Sequence, residues 1–507
     1  MHRMYTARTS TRRTFLGAAA SAALWLPHAP RGLLAAPQEG GIAVNDVHAR
    51  LNATRVARIV QPTSAAELQA AVQRAAREGR TVSIAGGRHA MGGQQFGRGT
   101  TLIDTTAMGG VLAFDAERGI VEAEAGIQWP ELMGWLADAQ HGVARPWGIV
   151  QKQTGADRLS LGGALSANVH GRGLRLRPII QDVDSIVVVD PDGAQQVCSR
   201  SVNAELFSLV IGGYGLFGPI SSVRLRLAPR RKLERVVELR DVDGLAAAVE
   251  ERVDAGFEYG DFQFATGADD ARFLRRGVFT CYRPVAPDTP IPPAQRRLSG
   301  EDWGGLAHLA HTDPARAFEQ YSGYYLSTDG QIYRSDDHQM SYYDDGYHVA
   351  LSRRLGQLHG ASEMITEIYV PRPDLASFMD RASATLRRAN AQLIYGTVRW
   401  IEQDPDSFLA WARRPWACVI FNLHVDHTDA GLERAGDAFR GLIDAGLAHA
   451  GSYYLTYHRW ARRDQVEAAH PRVIDFLSRK QRHDPAEVFQ SDWYRHYRDM
   501  FSGELGA

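Results

Sequence analysis

A single histidine, His89, sits inside the stretch TVSIAGGRHAMGGQQF (residues 81–96), with Gly86 and Gly87 before it and Gly92 and Gly93 after it. Backbone amides that no Cβ shields can approach a phosphate group closely, so a turn of this composition suits a phosphate-bearing ligand. The imidazole at its centre adds a neutral nucleophile or a hydrogen-bonding group. A second glycine-rich stretch, QTGADRLSLGGALSANVHGRG, carries Gly155, Leu161, Gly162, Gly163, Ser166, His170 and Gly171, and a third, GGYGLFGPI, carries Gly213, Gly218 and Ile220. Three such loops between residues 55 and 229 exceed what turns alone require, and together they can enclose a pyrophosphate. Gly213, Gly215 and Gly218 also match the G-x-G-x-x-G spacing of a dinucleotide fingerprint. That fingerprint follows a strand and opens a helix, whereas this one is expected to follow a helix and to run through Pro219 into a strand, so the match is rejected.

The elements that position these loops are legible from periodicity. Residues 56–60 read as a short strand, and Ser64 with Glu67 as a capping box opening a helix that places Leu68, Ala71, Val72 and Ala75 on one face. Gly79 stops it and residues 81–85 resume as strand. A second helix is expected from Pro130 to about Gly142, a buried strand over residues 185–190 ended by the turn PDG, and a helix over NAELFSLV followed by an alternating strand through Val223, Leu225 and Leu227. Near residues 229–232 the pattern changes. Residues 230–450 alternate helices and strands without further glycine loops and read as a separate α/β domain, and residues 451–507 become aromatic and basic again.

Composition narrows the function class. Among 507 residues, 57 Lys and Arg nearly balance 58 Asp and Glu, which lacks the basic footprint of a nucleic-acid binder and leaves small-molecule chemistry. The N-terminus pairs Arg12 and Arg13 with Phe15 and Leu16 ahead of an Ala-rich stretch that Pro27 and Pro30 interrupt. Residues 1–36 therefore read as a twin-arginine export signal, too short in its apolar part for a membrane span, and the protein is expected in the periplasm or outside the cell, not as an integral membrane protein. Export by that route is of folded protein, so a cytoplasmic cofactor would have to be in place first. Cys198, Cys281 and Cys418 are too far apart in sequence for a metal knuckle or a disulfide framework. On a strand, His424 and Asp426 share a face while His427 points away, and with no third cluster nearby in sequence no metal site is expected.

In this order, AGGRHAMGG, GADRLSLGGALSANVHGRG, IVVVDPDG and LFSLVIGGYGLFGPI resemble the vanillyl-alcohol oxidase type family, the PCMH-type FAD-binding proteins, continuously over residues 53–229 and more loosely beyond. The resemblance implies an α+β fold: a two-subdomain PCMH-type FAD-binding domain (53–229), an α/β substrate cap (230–450) and a C-terminal return to the FAD domain (451–507). It implies FAD as cofactor, contacted by Gly86, Gly87, Arg88, His89, Ala90, Met91 and Gly92 and by the residues named in the other two loops. It also implies covalent attachment of His89 to the flavin 8α-methyl carbon, at a single point because LSLGG (residues 159–163) offers no cysteine.

Bound FAD would set the reaction: hydride leaves an alcohol or amine carbon for flavin N5 while a base takes a proton, and O2 or a respiratory electron carrier reoxidises the flavin. MITEIYVPRPDL (residues 364–375) and YGTVRWIEQDPDSFLAWA (residues 395–412) are similar to cap strands of alditol and sugar-lactone oxidases, with Arg399 matching an arginine near the substrate. The acid expected two positions earlier is Thr397, and the lysine of a His-Trp-Gly-Lys motif is missing from YHRWA (residues 457–461), which points away from an ordinary polyol. Candidates for catalysis are Tyr457, His458, Arg399, His338 and Glu367, with Tyr333, Gln339 and Tyr342 as a hydroxyl-binding or ring-stacking wall. A flavin-binding protein without turnover and a hydrolase of a phosphorylated ligand stay open as alternatives.

Overall fold

In the computed structural model, residues 40–341 and 346–506 are described. The expected export signal and Tyr342 lie outside the described residues.

The helix Ala65–Arg77 begins where Ser64 Oγ accepts from the Glu67 amide at 3.3 Å. The capping box is only half formed: Glu67 reaches one residue further back and accepts from the amide and hydroxyl of Thr63, at 2.8 and 2.9 Å. Its apolar face, Leu68, Ala71, Val72 and Ala75, packs with Val82 and Ile103. That packing makes the helix the crossover of a three-stranded parallel sheet, in which Thr101–Asp104 lies between Arg58–Val60 and Val82–Ala85. The glycine turn leaves the end of Val82–Ala85, at the carboxyl edge where open α/β units bind ligands.

An antiparallel sheet follows, ordered Gln195–Ser199, Val183–Val189, Ile220–Pro229, Ile120–Glu124 and Val111–Asp115, with Trp147–Ile149 paired to the far end of Ile220–Pro229. The helix Ala204–Val210 precedes residues 212–218 and the strand Ile220–Pro229 follows them, which is the order that excludes a dinucleotide fingerprint. Gly218, at φ +123° with a Cβ position 2.1 Å from Val189 O, is where this strand must pass close against its neighbour.

The third large sheet has eight strands, in the order Ile332–Arg334, Lys232–Asp241, Arg276–Pro284, Tyr259–Phe264, Leu393–Ile401, Trp416–Asp426, Ala361–Val370 and Ser452–Tyr453. All its pairings are antiparallel. The helix and strand alternation over residues 230–450 is therefore an α+β arrangement and not the parallel α/β unit that alternation suggests. The helix Asp429–Leu447 packs against Trp416–Asp426 and Ala361–Val370, close enough that a Cβ on Gly446 would meet Ile368 Cγ2 at 2.5 Å. Ile368 thus faces the helix. Its strand neighbours Ile365 and Glu367, with Tyr395 and Arg399 of Leu393–Ile401 and Ile420 and Asn422 of Trp416–Asp426, line a cavity. Among the described residues no helix is long and apolar enough to cross a membrane.

Candidate functional site

The cavity, about 460 Å³, lies between the glycine turn and the eight-stranded sheet. Its floor is continuous chain: Gly86, Gly87, Arg88, His89, Ala90 and Met91 all line it. Two of these glycines are also required by packing. A Cβ on Gly86 would stand 1.9 Å from Ser160 Oγ, and one on Gly87 2.3 Å from Arg158 O. The first glycine loop therefore lies directly on the second. Arg88 adopts a left-handed conformation at φ 60°, a cost of about 1–2 kcal/mol for a residue with a Cβ. It is held there by Asp104, 2.7 Å from Nη2, and by the Val47 amide, which donates to its carbonyl at 3.0 Å.

The second loop contributes Gly155, Gly162, Gly163, Ser166 and His170, and the third Gly218 and Ile220. Ser160 Oγ accepts from Gly163 N and starts the short helix Leu161–Ala167, whose first turn faces the cavity. Gly92, Leu161, Gly171 and Gly213 are outside the lining. Leu161 is core, 1% exposed. The three glycines serve chain-to-chain approach instead: their Cβ positions fall 2.5 Å from Tyr457 O, 2.9 Å from Lys152 O and 1.9 Å from Leu209 O.

On the opposite wall, Tyr457, Arg399 and Glu367 line the cavity. Glu367 collects donors: His170 Nε2 at 3.0 Å, Tyr369 Oη at 2.9 Å and Tyr457 Oη at 2.6 Å, with Cys418 Sγ at 3.6 Å. Burial alone would raise this carboxyl, but the His170 imidazole and the hydrogen bonds from His170 and Tyr457 hold it below the ordinary carboxylate range. Burial, and then the Glu367 charge, push the Tyr457 phenol well above its usual value, so it keeps its proton and hydrogen-bonds through it to Glu367. Arg399 Nη2 donates to Thr154 Oγ1. Arg399 Nε and Asn422 Oδ1 are buried without a hydrogen-bond partner among the described residues, and a ligand in the cavity would complete them.

Two expected catalytic histidines are not brought to this cavity. His338 is stacked on Tyr282 at 4.4 Å and set edge-on to Tyr259 at 4.6 Å. Burial, then Arg172 and Arg235, hold it neutral. His458 packs on Trp460 at 3.9 Å, and burial pushes it down to about 3. Of the expected wall, Gln339 and Tyr333 are displaced as well. Gln339 accepts from the Lys152 amide at 3.0 Å and donates to Val150 O and Ser335 O, and Tyr333 sits under Arg235. Tyr347 and Tyr395 line the cavity in their place, together with His48, Gln153, Thr154 and Asn422, none of which the sequence singled out. His48 is half-buried, and desolvation and then His89 push it down to about 3. Its only sequence signal is a lone histidine in NDVHARLN (residues 45–52).

A family model described as an FAD binding domain matches residues 56–199. L-gulono-1,4-lactone dehydrogenase of Mycobacterium tuberculosis is 27% identical over 444 residues, covering 86% of this chain and 95% of that protein. Cytokinin dehydrogenase 1 of Oryza sativa subsp. japonica is 32% identical over 217 residues, 41% of this chain and 39% of that protein. Cytokinin dehydrogenase 2 of Arabidopsis thaliana is 29% identical over 179 residues, 34% of each. The cytokinin enzymes match over little more than a third of their length, whereas the likeness to the lactone enzyme spans most of both chains.

Proposed function

Since this chain belongs to the PCMH-type FAD-binding oxidoreductases and is an FAD-linked oxidoreductase, we propose that it removes hydride from an alcohol or amine carbon of a small molecule bound against Arg399 and Asn422. FAD supplies the hydride acceptor, N5 of its ring system. What supports the reading is one juxtaposition: a glycine-lined floor made of three loops faces a wall carrying Tyr457, Glu367 and Arg399 across a single cavity. The residues present fit the cofactor. Six consecutive residues from Gly86 line the floor, and the first turn of Leu161–Ala167 adds the amide-rich end of a helix beside them.

In this reading residues 53–229 form a two-subdomain FAD-binding domain, 230–450 the cap and 451–507 the return. Residues 1–36 direct export by the twin-arginine route to the periplasm or beyond. His89 is the covalent attachment point of FAD. Arg399 and Asn422 orient the substrate's oxygen or nitrogen atoms. Tyr457 Oη accepts the substrate's hydroxyl or amine proton as it passes its own to Glu367 Oε1, and His170 and Tyr369 keep that carboxylate in position. The electron acceptor is O2 or a respiratory carrier. A sugar lactone is the first compound to try, because the lactone enzyme is a relative alike over most of both chains.

Acid-precipitated wild-type protein should retain flavin fluorescence, and His89→Ala should lose it while still binding FAD reversibly. Anaerobic addition of L-gulono-1,4-lactone, a second sugar lactone or an N-alkylated amine should bleach the flavin. A protein that carries flavin but is bleached by no compound of these classes would instead be a flavin-binding protein without turnover. Colour that washes out of the wild type would remove the role given to His89.

A further inference from the structure

The sequence sets only Asp426 and His427 beside His424, but the sheet register brings in further ligands. Ala361–Val370 pairs with Trp416–Asp426 so that Glu363 lies directly opposite His424, and the helix Gly300–Thr312 brings His311 over both. His311 Nε2 is 3.2 Å and His424 Nδ1 3.6 Å from Glu363 Oε1, and the three side chains are 3%, 9% and 3% exposed for His311, His424 and Glu363. Ligand atoms on a tetrahedral zinc ion at about 2.0–2.1 Å are about 3.3 Å apart.

Hydrogen bonding sharpens the case. His311 Nδ1 lies 2.7 Å from Ala307 O. A carbonyl only accepts, so Nδ1 carries the proton and Nε2 of the neutral ring turns a lone pair toward Glu363. Two further buried atoms beside it have no hydrogen-bond partner among the described residues, His424 Nδ1 and Gln357 Oε1. A cation held by His424 Nδ1 satisfies the first of these. It requires the proton on His424 Nε2, which is 2.9 Å from the Gln357 amide and 3.5 Å from Asp426 Oδ1. Turning the Gln357 amide over then lets Oε1 accept that proton. Each imidazole would thus donate its second N–H to a carbonyl or amide oxygen, the usual support of a metal-bound histidine. Tyr347 Oη, donating to Glu363 Oε2, orients the carboxylate from the far side.

We infer that His311 Nε2, Glu363 and His424 Nδ1 bind one divalent cation of the zinc class, with water completing the coordination. The site pins Gly300–Thr312, whose Gly300, Trp303, Gly304 and Ala307 line the cavity, to the eight-stranded sheet. The other grouping of this type among the described residues, His170, Glu367 and Cys418, does not invite a metal, because His170, Tyr369 and Tyr457 already donate to its carboxylate.

The test uses the full chain, freed of metal by a chelator and dialysed against zinc chloride, with bound zinc measured by mass spectrometry. One zinc per chain is expected. His311→Ala and Glu363→Gln should lose it and Gln357→Ala should weaken it about 10–100-fold, each with an unchanged circular dichroism spectrum. His427→Gln should keep the zinc, because His427 Nε2 bonds Ser362 Oγ at 2.8 Å outside the cluster. Using Glu363→Gln beside His311→Ala guards against one variant failing to fold. Absence of stoichiometric zinc in the wild type, zinc retained by folded His311→Ala and Glu363→Gln, or equal loss in His427→Gln would overturn the assignment. None of these outcomes depends on flavin or turnover.

Discussion

Asp182 ends the turn Ile179–Asp182 beneath the second glycine loop, 6% exposed. Its Oδ2 accepts from Gln151 Nε2 at 2.9 Å, and the same Gln151 holds Gly171 N through Oε1 and Arg177 O through Nε2. Burial pushes the Asp182 carboxyl from 3.8 up to about 7, against the hydrogen bonds from Gln151 and Gln181 and the charges of Arg226 and Arg200. Between those two values the folded chain keeps a proton that the unfolded chain has released. Its contribution to stability is therefore complete below about pH 4 and falls as pH rises, at 1.36 kcal/mol per pH unit, until the folded group ionises near pH 7. Over about three units the loss is about 4 kcal/mol. Asp182→Asn keeps an acceptor for Gln151 and removes the titration. Urea unfolding of wild type and variant in parallel cancels the groups they share, and the variant should gain about 4 kcal/mol relative to wild type between about pH 4 and about pH 8. A difference that stays flat, or moves the other way, would mean the carboxyl ionises at its ordinary value in the folded protein and that burial does not govern it.

Gly86→Ala should destabilise the fold by about 2–4 kcal/mol in the same assay, combining overpacking of about 1–3 kcal/mol with loss of the Ser160 cap at about 1 kcal/mol. Tyr457→Phe should retain flavin but slow its anaerobic reduction by at least about 100-fold. In that variant the acid limb of the pH profile should move upward, because Glu367 loses a donor that lowers its pKa.

Local chemistry was legible and long-range pairing was not. Ser64 starts its helix, and the order of elements around residues 213–218 excluded a dinucleotide site, because caps and periodicities are set within a few residues. Glu67 and Gly86 show the limit of that reading. Glu67 took a partner one residue further back, and Gly86 is bare as much for Ser160 Oγ, 74 residues on, as for any ligand. His338 and His458 were plausible by type, yet both turn into aromatic packing, which depends on Tyr282 and Trp460 being where tertiary structure puts them. His48 and the His311, Glu363 and His424 cluster were invisible for the same reason: strand register and helix placement create them, and neither leaves a motif.

The glycine turn has a roof made from the other end of the chain. Met91 N donates to Thr456 O, Gln94 Nε2 to Leu455 O and Asp492 N to Phe96 O, while Val82 exchanges bonds with Val488 and Gln490. About 360 to 410 residues separate these partners in sequence, so the floor of the cavity is closed only when nearly all of the polypeptide has been made. Its timing follows from that geometry. A nascent chain still lacking residues 455–492 presents residues 86–96 without that cover, although Asp104 and Val47 already hold Arg88. The complete cavity is thereby a property of the finished chain, formed once residues 455–492 have joined the loop.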